Sequence, residues 1–497
     1  MRPFAAIAAF SGLFSSCLLV CAESTKDFTP PQAFKNVNLV RNTNLEKGYA
    51  REIINVVVEN VDSEPRSSYY LAVPTELFDK VGGLEVRDKK APEKDRFAVD
   101  SVLVESSSNS QYFVIDFPEP LAPKAQITLG ISYYILNALS PRPATIEQSE
   151  KQFLSYSFSA YTPSAYPTVT QKTKLKLPSM NVPDYTVTSG LKSGEDPERL
   201  GTTYTYGPYD TSKVAPGTNY PVTVRYEFTK PVITASLLER DLEVSHWGGN
   251  LATEERYWLR NNGSALKNHF SRVEWTVSNY QQMPSVSIRE LRVPLKPGAV
   301  DPYFIDDIGN VSTSRYRPGK LPARDASLEL RPRYPVFGGW NYSFRIGWND
   351  QLSSFLRKVS GGASDSYVLK VPFIEGPKVP EGIQYEHVVV RVILPEGARN
   401  VRYEVVDKAT SNGLPNTDNI KASVTPHKTF MDTLGRTALT LTVENLSDEA
   451  RDAQILVSYE YSLWDSMRKP VTITAGLLTV FVAAWAIGNV DVAIKKR

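Results

Sequence analysis

Residues 52–61 form the stretch EIINVVVENV, in which the β-branched residues Ile and Val fill six of the ten positions. β-branched side chains fit a pleated strand better than a helix, so this stretch predicts a β-strand. Turn-forming sequences such as DSEPRSS, SPRP and LPEG separate the strand-like segments from one another. The further segments of this kind are QYFVIDF (111–117), QITLGISYYIL (126–136), TKLKLPS (173–179), YPVTVRYEF (220–228), EHVVVRVIL (386–394), ALTLTVENL (438–446) and QILVSYEY (454–461).

Several of these segments alternate apolar and polar residues, which is typical of strands buried on one face. The 35 prolines and 26 tyrosines also favour β structure with many turns. Helical periodicity is scarce, and LSSFLRKV (352–359) is one short helix candidate. Because residues 23–466 exceed what one core usually supports, we expect a mainly β fold with two antiparallel β-sandwich-like domains. The stretch TKPVITASLLERD (229–241) places their boundary, giving domains at 23–232 and 233–466.

The N-terminus, MRPFAAIAAFSGLFSSCLLVCAES, has the layout of a secretory signal peptide. One basic residue precedes an apolar run, and small residues favour cleavage after Ala22, so residues 1–22 are the predicted signal peptide. A membrane anchor is the alternative interpretation of the same run. Both cysteines, Cys17 and Cys21, lie inside it, so the processed chain is expected to contain no disulfide and no cysteine-ligated metal.

The C-terminal region predicts one transmembrane helix at 467–490, followed by a short cytosolic tail at 491–497. No residue from Val471 to Gly488 is charged, and 18 residues are just long enough to span a bilayer. Pro470 suits a first helical turn, and basic residues bracket the span. With the signal peptide, this predicts a single-pass type I protein whose large part is lumenal or extracellular. A buried C-terminal helix is the alternative.

Charge and motif content exclude several classes of function. The chain has 56 Lys and Arg against 54 Asp and Glu, so no nucleic-acid partner is expected. The four histidines, His246, His269, His387 and His427, show no metal-site spacing, and HEXXH, a G-X-S-X-G elbow, a phosphate-binding loop and Asp-X-Asp are absent. Asp306 and Asp307 are adjacent, so in a strand they would point to opposite faces. Asp448 and Glu449 lie in a turn-like sequence and His427 follows a proline in a loop-like one, so all three are expected at the solvated surface. We therefore assign no catalytic, cofactor-binding or metal-ligating residue.

The stretch SHWGGNLATEERYWLRNNGS (245–264) has two interpretations. In a catalytic one, His246 is a general base oriented by Glu254 or Glu255. In a structural one, a strand ends in a glycine turn, Trp247 anchors the core, and TEERYWL begins the next strand. The structural interpretation is favoured because no nucleophile, metal pair or phosphate cradle lies nearby in sequence.

Four Asn-X-Ser sequons, at Asn262, Asn310, Asn341 and Asn445, are candidates for N-glycosylation. All four fall in the part of the chain predicted to be lumenal. Their positions agree with the predicted topology.

A series of blocks along the chain resembles the ribophorin I family, subunit 1 of the endoplasmic-reticulum oligosaccharyltransferase. The blocks are AYTPSAYPTVTQKTKLKLPS (160–179), YGPYD (206–210), EVSHWGGNLATEE (243–255), LKNHFSRVEW (266–275), DDIGNVSTS (306–314), LELRPRYPVFGGW (328–340), VILPEGARN (392–400) and MDTLGR (431–436). They occur in the family's order between a signal peptide and one membrane span.

The resemblance implies a non-catalytic accessory subunit that supports transfer of a dolichol-linked oligosaccharide to Asn of nascent polypeptides by scaffolding and substrate retention. Its implied partners are the polytopic catalytic subunit, small membrane subunits, nascent polypeptides and the lipid bilayer, in the endoplasmic reticulum membrane. The family also tends to carry a glycan at the position of Asn310. Animal relatives continue further past the membrane, so a ribosome-facing role of the tail is not expected here.

One hypothesis on mechanism and two competing functions follow from the same residues. Exposed aromatics in YTPSAYPT (161–168) and VFGGW (336–340) are candidates for binding extended polypeptides, with ordinary core packing as the alternative. A single-pass β-sandwich receptor or adhesion protein fits the topology, although such modules commonly carry disulfides. A hydrolase is the third possibility, and the missing HEXXH argues against it.

Overall fold

The structure is a computed structural model that describes residues 28–91, 96–102, 110–320, 324–359, 365–406, 420–429, 432 and 435–489. The predicted signal peptide (1–22) and tail (491–497) lie outside the described residues. The described chain is mainly β, as the sequence predicts, with strands β1–β31 and three α-helices.

A first β unit comprises the strands between residues 34 and 227, which form three sheets. In its seven-stranded sheet, the order is β13-β14-β11-β1-β2-β7-β4. These strands are β1 (Phe34–Asn44), β2 (Ala50–Asn60), β4 (Val81–Asp88), β7 (Gln126–Ile135), β11 (Thr168–Lys176), β13 (Glu198–Leu200) and β14 (Thr203–Tyr209). The three-stranded sheet has β3 (Arg66–Pro74), β6 (Ser110–Leu121) and β5 (Ala98–Val102), and the four-stranded sheet has β12 (Asp184–Tyr185), β15 (Pro221–Glu227), β10 (Phe153–Ser159) and β8 (Leu139–Pro141).

A second β unit comprises the strands between residues 233 and 460 and again forms three sheets. Its large sheet has the order β21-β20-β24-β17-β16-β27-β30-β29. These strands are β16 (Ile233–Ser245), β17 (Asn250–Asn261), β20 (Val300–Asp306), β21 (Gly309–Asn310), β24 (Asn341–Gln351), β27 (Ile383–Ile393), β29 (Lys421–His427) and β30 (Arg436–Ser447). The small sheets contain β19 (Leu291–Leu295), β23 (Ala326–Leu330) and β22 (Arg315–Arg317), and then β25 (Leu356–Lys358), β26 (Ser366–Pro372), β31 (Gln454–Glu460) and β28 (Arg399–Val406).

The two β units share one topology. Each large sheet is built on a central hairpin, β1–β2 or β16–β17, and the first strand of that hairpin pairs in parallel with a later strand, β11 or β27. The remaining strands of the large sheets correspond in chain order and direction, except for β21, which lies at the edge beside β20 and has no counterpart. β4 and β7 match β20 and β24, while β13 and β14 match β29 and β30. The two smaller sheets match strand for strand as well. The fold is therefore an internal duplication, and the parallel pair in each unit departs from the purely antiparallel sheets that we expected.

Alternating burial explains why these sequences form strands. In β2, every second side chain is buried, including Ile54, Val56 and Val58, so one face of the strand lies against the core. Apolar side chains from all three sheets of each unit meet in one cluster, and the two largest clusters divide at Val232 and Ile233. We therefore keep the predicted boundary, with domains at 23–232 and 233–466, as a proposal. One two-stranded sheet, β9 (Thr145–Ile146) with β18 (Ala265–Leu266), crosses between the units.

The helices differ in part from the sequence prediction. They are α1 (Thr75–Phe78), α2 (Arg272–Tyr280) and α3 (Leu463–Gly488). The predicted helix LSSFLRKV is wrong, since a short 3₁₀ turn at Leu352–Ser354 leads directly into β25, which pairs with β26.

Helix α3 is long and apolar enough to cross a membrane, and no part of its apolar window is buried. A capping box between Ser462 and Asp465 starts the helix four residues before the predicted span. Pro470 consequently lies inside the helix rather than in its first turn. Because proline has no N–H, the carbonyl of Ser466 lacks its usual helical donor at position 470.

Candidate functional site

The turn between β16 and β17, residues His246–Gly249, meets the start of α3. Trp247 donates its indole N–H to the Ser466 carbonyl at 2.9 Å. Gly249 adopts a φ of +59°, which closes the turn in a conformation that glycine tolerates. Trp247 is 65% exposed, so its predicted role as a core anchor is wrong. The turn extends past the sheet, where the helix start, rather than the core, provides its partner.

His246 lies in a group of tyrosine rings beside this turn. Its Nε2 is 2.7 Å from the Tyr459 hydroxyl, and its ring centroid is 4.9 Å from that of Tyr367 and 4.7 Å from that of Tyr461. Burial lowers the pKa of His246, which favours the neutral ring. The residue is thus held by packing and one hydrogen bond.

The two carboxylates proposed as partners of His246 lie elsewhere. Glu254 pairs in register with Asp241, about 16 Å along the strand from the turn at ~3.3 Å per residue. It accepts from Tyr303 at 2.5 Å and from Arg256 at 2.8 Å. The structure does not bring the predicted acid–base pair together, and the stretch forms a strand, a glycine turn and a second strand, as the structural interpretation predicted apart from the role of Trp247.

Glu255 belongs to a buried charge network inside the second β unit. It is fully buried, ion-paired with the equally buried Arg240, and accepts from the Tyr257 hydroxyl at 2.8 Å. Arg240 also contacts Glu375 at 2.7 Å. Burial, followed by the charge of Glu375, raises the pKa of nearby Asp350 to about 6. A buried charge needs such partners, so this network is structural.

Two ion pairs fasten α3 to the second β unit. Arg399 contacts Asp465 at 2.8 Å, and Lys469 contacts Asp432 at 2.5 Å. A cavity of about 440 Å³ lies beside them, bounded by the β16–β17 turn and by the helix as far as Ile473. This helix junction is the candidate functional site, because it positions the β units relative to the helix.

A second cluster of charges joins the two β units. Lys47 contacts Asp448 at 3.0 Å and Arg51 contacts Glu449 at 3.2 Å, while the hydroxyls of Tyr49 and Tyr134 donate to the same two carboxylates. The sequence interpretation treated Asp448 and Glu449 as solvated turn residues, and this was wrong. They do lie in a turn-like 3₁₀ helix, but they are only 14% and 21% exposed because the first β unit covers them.

The four predicted glycosylation sites have different surroundings. Asn310 and Asn341 are exposed. The Asn262 side-chain amide donates to Thr234 at 2.9 Å, and that of Asn445 donates to the Asp79 carbonyl in the other β unit at 2.8 Å. Glycan occupancy stays a prediction, and the geometry separates the sites into two pairs.

The remaining residues singled out by sequence are structural or exposed. The Asp306 carboxylate is buried and contacts Arg333 at 2.5 Å, whereas Asp307 is exposed, as expected for adjacent residues near a strand end. His387 lies on β27 as predicted, and His427, predicted in a loop, is the last residue of β29. His269 is exposed before α2. Within the described residues, no group of three or more His, Cys, Asp or Glu could hold a metal ion.

Most of the aromatics proposed to bind polypeptides are buried. Tyr161 and Tyr166 are 5% and 3% exposed, and Phe337 is fully buried. Trp340 is half-buried and packs on Phe337. The peptide-binding hypothesis for these residues is therefore wrong, and core packing explains them.

These observations define a class of protein: two duplicated β units fastened to one helix capable of crossing a membrane. The family model for Ribophorin I matches residues 34–488, and the chain belongs to this family. The chain is 29% identical over 457 residues to "Dolichyl-diphosphooligosaccharide–protein glycosyltransferase subunit 1" of Schizosaccharomyces pombe, covering 92% of this chain and 95% of that protein. It is 30% identical over 500 residues to subunit 1B of Arabidopsis thaliana, and the match covers 99% of this chain and 100% of that protein. It is also 30% identical over 451 residues to subunit 1 of Caenorhabditis elegans, where the match covers 88% of this chain and 69% of that protein.

Among solved structures, native yeast LTA4 hydrolase aligns with 46% of this chain and 29% of its own, with 10% identity and a TM-score of 0.24. A likeness this low carries no argument about fold or activity.

Proposed function

We propose that this chain is a non-catalytic accessory subunit of the endoplasmic-reticulum oligosaccharyltransferase. It supports transfer of a dolichol-linked oligosaccharide to Asn of N-X-S/T sequons in nascent polypeptides by scaffolding and substrate retention. The observation that carries this proposal is the Ribophorin I match over residues 34–488, with relatives named as subunit 1 of a glycosyltransferase across nearly their whole length. No observation favours the alternative of a receptor or adhesion protein.

A scaffolding role is supported by the two sets of polar contacts that join successive parts of the chain. The charges around Asp448 and Glu449 join the β units, and the helix junction joins the second unit to α3. Such a body transmits the position of the membrane helix to a large surface. Substrate retention needs a surface other than the aromatics of YTPSAYPT and VFGGW, since those rings are mostly buried.

The non-catalytic assignment is supported by the fate of the candidate acid–base residues. His246 is enclosed by tyrosines, Glu255 is neutralised by Arg240, and Glu254 is held by Tyr303 and Arg256. Each of these groups is committed to its structural partners. Chemistry is assigned to a separate polytopic subunit, with small membrane subunits as further partners.

Purification of the full chain through a C-terminal tag from solubilised membranes tests this function. We expect a polytopic glycosyltransferase subunit to co-purify and the eluate to glycosylate an N-X-S/T peptide from a dolichol-linked donor. An identically tagged single-pass protein unrelated to the complex is the control. Recovery at the plasma membrane without a glycosyltransferase would overturn the proposal, and transfer by the chain alone would overturn the non-catalytic assignment.

The sequons test the proposed type I orientation, with residues 23–466 in the lumen. A glycan is attached to the Asn side-chain nitrogen, so exposed Asn310 and Asn341 are the expected carriers. Asn310→Gln and Asn341→Gln should each remove one endoglycosidase-sensitive glycan. Asn262→Gln and Asn445→Gln are matched controls that should not change mobility, because these amides are hydrogen-bonded in the fold. A wild-type chain without any glycan would contradict this occupancy and leave the lumenal orientation without support.

A further inference from the structure

Three large apolar side chains are exposed where α3 begins. Trp247 is 65% exposed, Leu463 69% and Trp464 86%. Trp247 and Leu463 line one shallow cavity with His246 and Tyr461. Clustered exposed apolar residues on a protein mark a surface that contacts something other than water.

The position of these side chains along α3 indicates that lipid headgroups contact this surface. Trp247 is bonded to Ser466, which precedes the uncharged run beginning at Val471 by five residues, or about 7.5 Å at ~1.5 Å per residue. The headgroup region of a bilayer adds roughly 5–7.5 Å to each side of the hydrocarbon core, so Ser466 lies at its outer edge. Trp464, two residues earlier, lies about 3 Å further out, within the reach of its side chain. Tryptophan is enriched at this level, because its ring is apolar and its N–H is polar.

The local charges also favour a lipid surface over a protein partner. Lys469 is paired with Asp432, Arg436 with Glu243 at 2.9 Å, and Arg399 with Asp465. Most of the charged side chains beside the tryptophans are thus neutralised within the molecule, whereas Arg468, one helical turn after Trp464, forms no ion pair with a described residue. Around these charges lies an apolar rim that continues into the spanning helix.

Pro470 explains why Trp247 stays at this level. The Ser466 carbonyl lacks a helical donor because residue 470 is proline, and the Trp247 indole N–H donates to that oxygen at 2.9 Å. The indole therefore replaces the missing helical hydrogen bond. Because the Ser466 carbonyl would otherwise lack a hydrogen-bond donor, its bond to Trp247 holds the β16–β17 turn beside Ser466 of α3.

We propose that the turn His246–Gly249 and the first turn of α3 seat the second β unit on the lipid headgroups of the lumenal leaflet. Trp247 is held there by the carbonyl that Pro470 leaves without a donor. This inference rests on the proposed function, in which α3 spans the endoplasmic-reticulum membrane. It deepens that function by making the bilayer surface itself a partner of the β body.

Spin-label accessibility of the full chain in phosphatidylcholine nanodiscs tests the proposed contact with lipid headgroups. Single labels are placed at Trp464→Cys, which keeps the Trp247 hydrogen bond, and at Trp247→Cys. Trp258→Cys, about 30 Å along β17 from the turn at ~3.3 Å per residue, is the water-exposed control, and Leu478→Cys reports the bilayer interior. Any cysteine retained at positions 17 and 21 is replaced by serine.

We expect the labels at 247 and 464 to show an oxygen-to-nickel-chelate relaxation ratio several-fold above that at 258. A ratio equal to that at 258 would contradict contact with the lipid headgroups. Protection from both reagents, as expected for labels covered by a protein, would contradict it as well. A label at 478 relaxed by the nickel chelate would instead show that α3 does not span, which overturns the proposed topology separately.

A double-mutant cycle tests the role of Pro470. Trp247→Phe keeps the ring but removes the donor, so amide hydrogen exchange over residues 466–474 should accelerate about 5–10-fold in the wild-type background. Pro470→Ala restores the helical N–H, and Trp247→Phe should then change exchange less than twofold. An equal effect in both backgrounds would show that the indole does not replace the missing donor.

Discussion

The ion pair between Asp432 and Lys469 predicts that Asp432→Asn weakens the attachment of α3 to the second β unit. The Asp432 side chain is fully buried and contacts Lys469 at 2.5 Å. The backbone N–H and the hydroxyl of Thr429 also donate to it, at 2.9 and 2.7 Å. Burial alone would raise its pKa, but the hydrogen bonds from Lys469 and Thr429 outweigh burial and lower the pKa from 3.8 to about 2.

The magnitude follows from this shift. A pKa lowered from 3.8 to about 2 corresponds to about 2 kcal/mol. Because Lys469 is 38% exposed, solvent screens the pair, and we expect about 1–2 kcal/mol. A depressed pKa stabilises the folded state above the ordinary pKa, and the contribution is lost as the pH falls through about 2. The full effect is therefore present at pH 5 and 7, and about half of it remains at pH 3.

Thermal unfolding of the full chain in detergent micelles at pH 7, 5 and 3 measures the effect. Asp432→Asn should lower the Tm by about 3–6 °C at pH 7 and 5, and by about half as much at pH 3. Asp307→Asn removes an exposed carboxylate and serves as the matched control. A Tm change below 1 °C at pH 7, or a change that does not shrink at pH 3, would refute the reasoning.

Three further substitutions probe the interior and the contact between the β units. Asp350→Asn should stabilise the chain by up to about 3 kcal/mol above pH 6. Burial raises the pKa of Asp350 to about 6, so ionising this carboxyl in the folded state costs free energy that Asn avoids. Calorimetry should show that the gain in stability fades below pH ~4. Glu255→Ala leaves buried Arg240 short of a partner and should lower the free energy of unfolding in denaturant by about 3–5 kcal/mol, whereas an effect below 1 kcal/mol would contradict the network. Tyr134→Phe removes the hydroxyl bonded to Glu449 and should cost about 1 kcal/mol, seen as faster limited proteolysis between the β units; an unchanged cleavage rate would count against that contact.

Local sequence predicts the strands well, because a strand that is buried on one face alternates apolar and polar residues along the chain. EIINVVVENV (52–61) falls almost entirely within β2, and EHVVVRVIL (386–394) within or beside β27. The parallel pairing of β16 with β27 joins residues about 150 positions apart and leaves no local signal. LSSFLRKV (352–359) has apolar residues at the i, i+3, i+4 and i+7 spacing of a helix, but pairing with β26 makes residues 356–358 a strand.

The sequence predicts the turn of the helix junction but not the residues that this turn contacts. The glycines of SHWGG indicate a turn, and the structure has one there. Trp247 was assigned to the core because large apolar residues usually are buried, but its partner, Ser466, lies 219 residues further along. Asp448 is expected in solvent because charged residues usually are exposed, and no residue near it in sequence indicates its partner Lys47, 401 residues earlier.

The two junctions involve corresponding turns of the duplicated topology. The turn between β1 and β2 contains Lys47 and Tyr49, which bind Asp448 of the second β unit. The corresponding turn between β16 and β17 contains Trp247, which binds α3. In both units, then, the turn of the central hairpin contacts the part of the chain that follows that unit. The same sheet topology thus serves first to join one β unit to the next and then to join the second unit to α3.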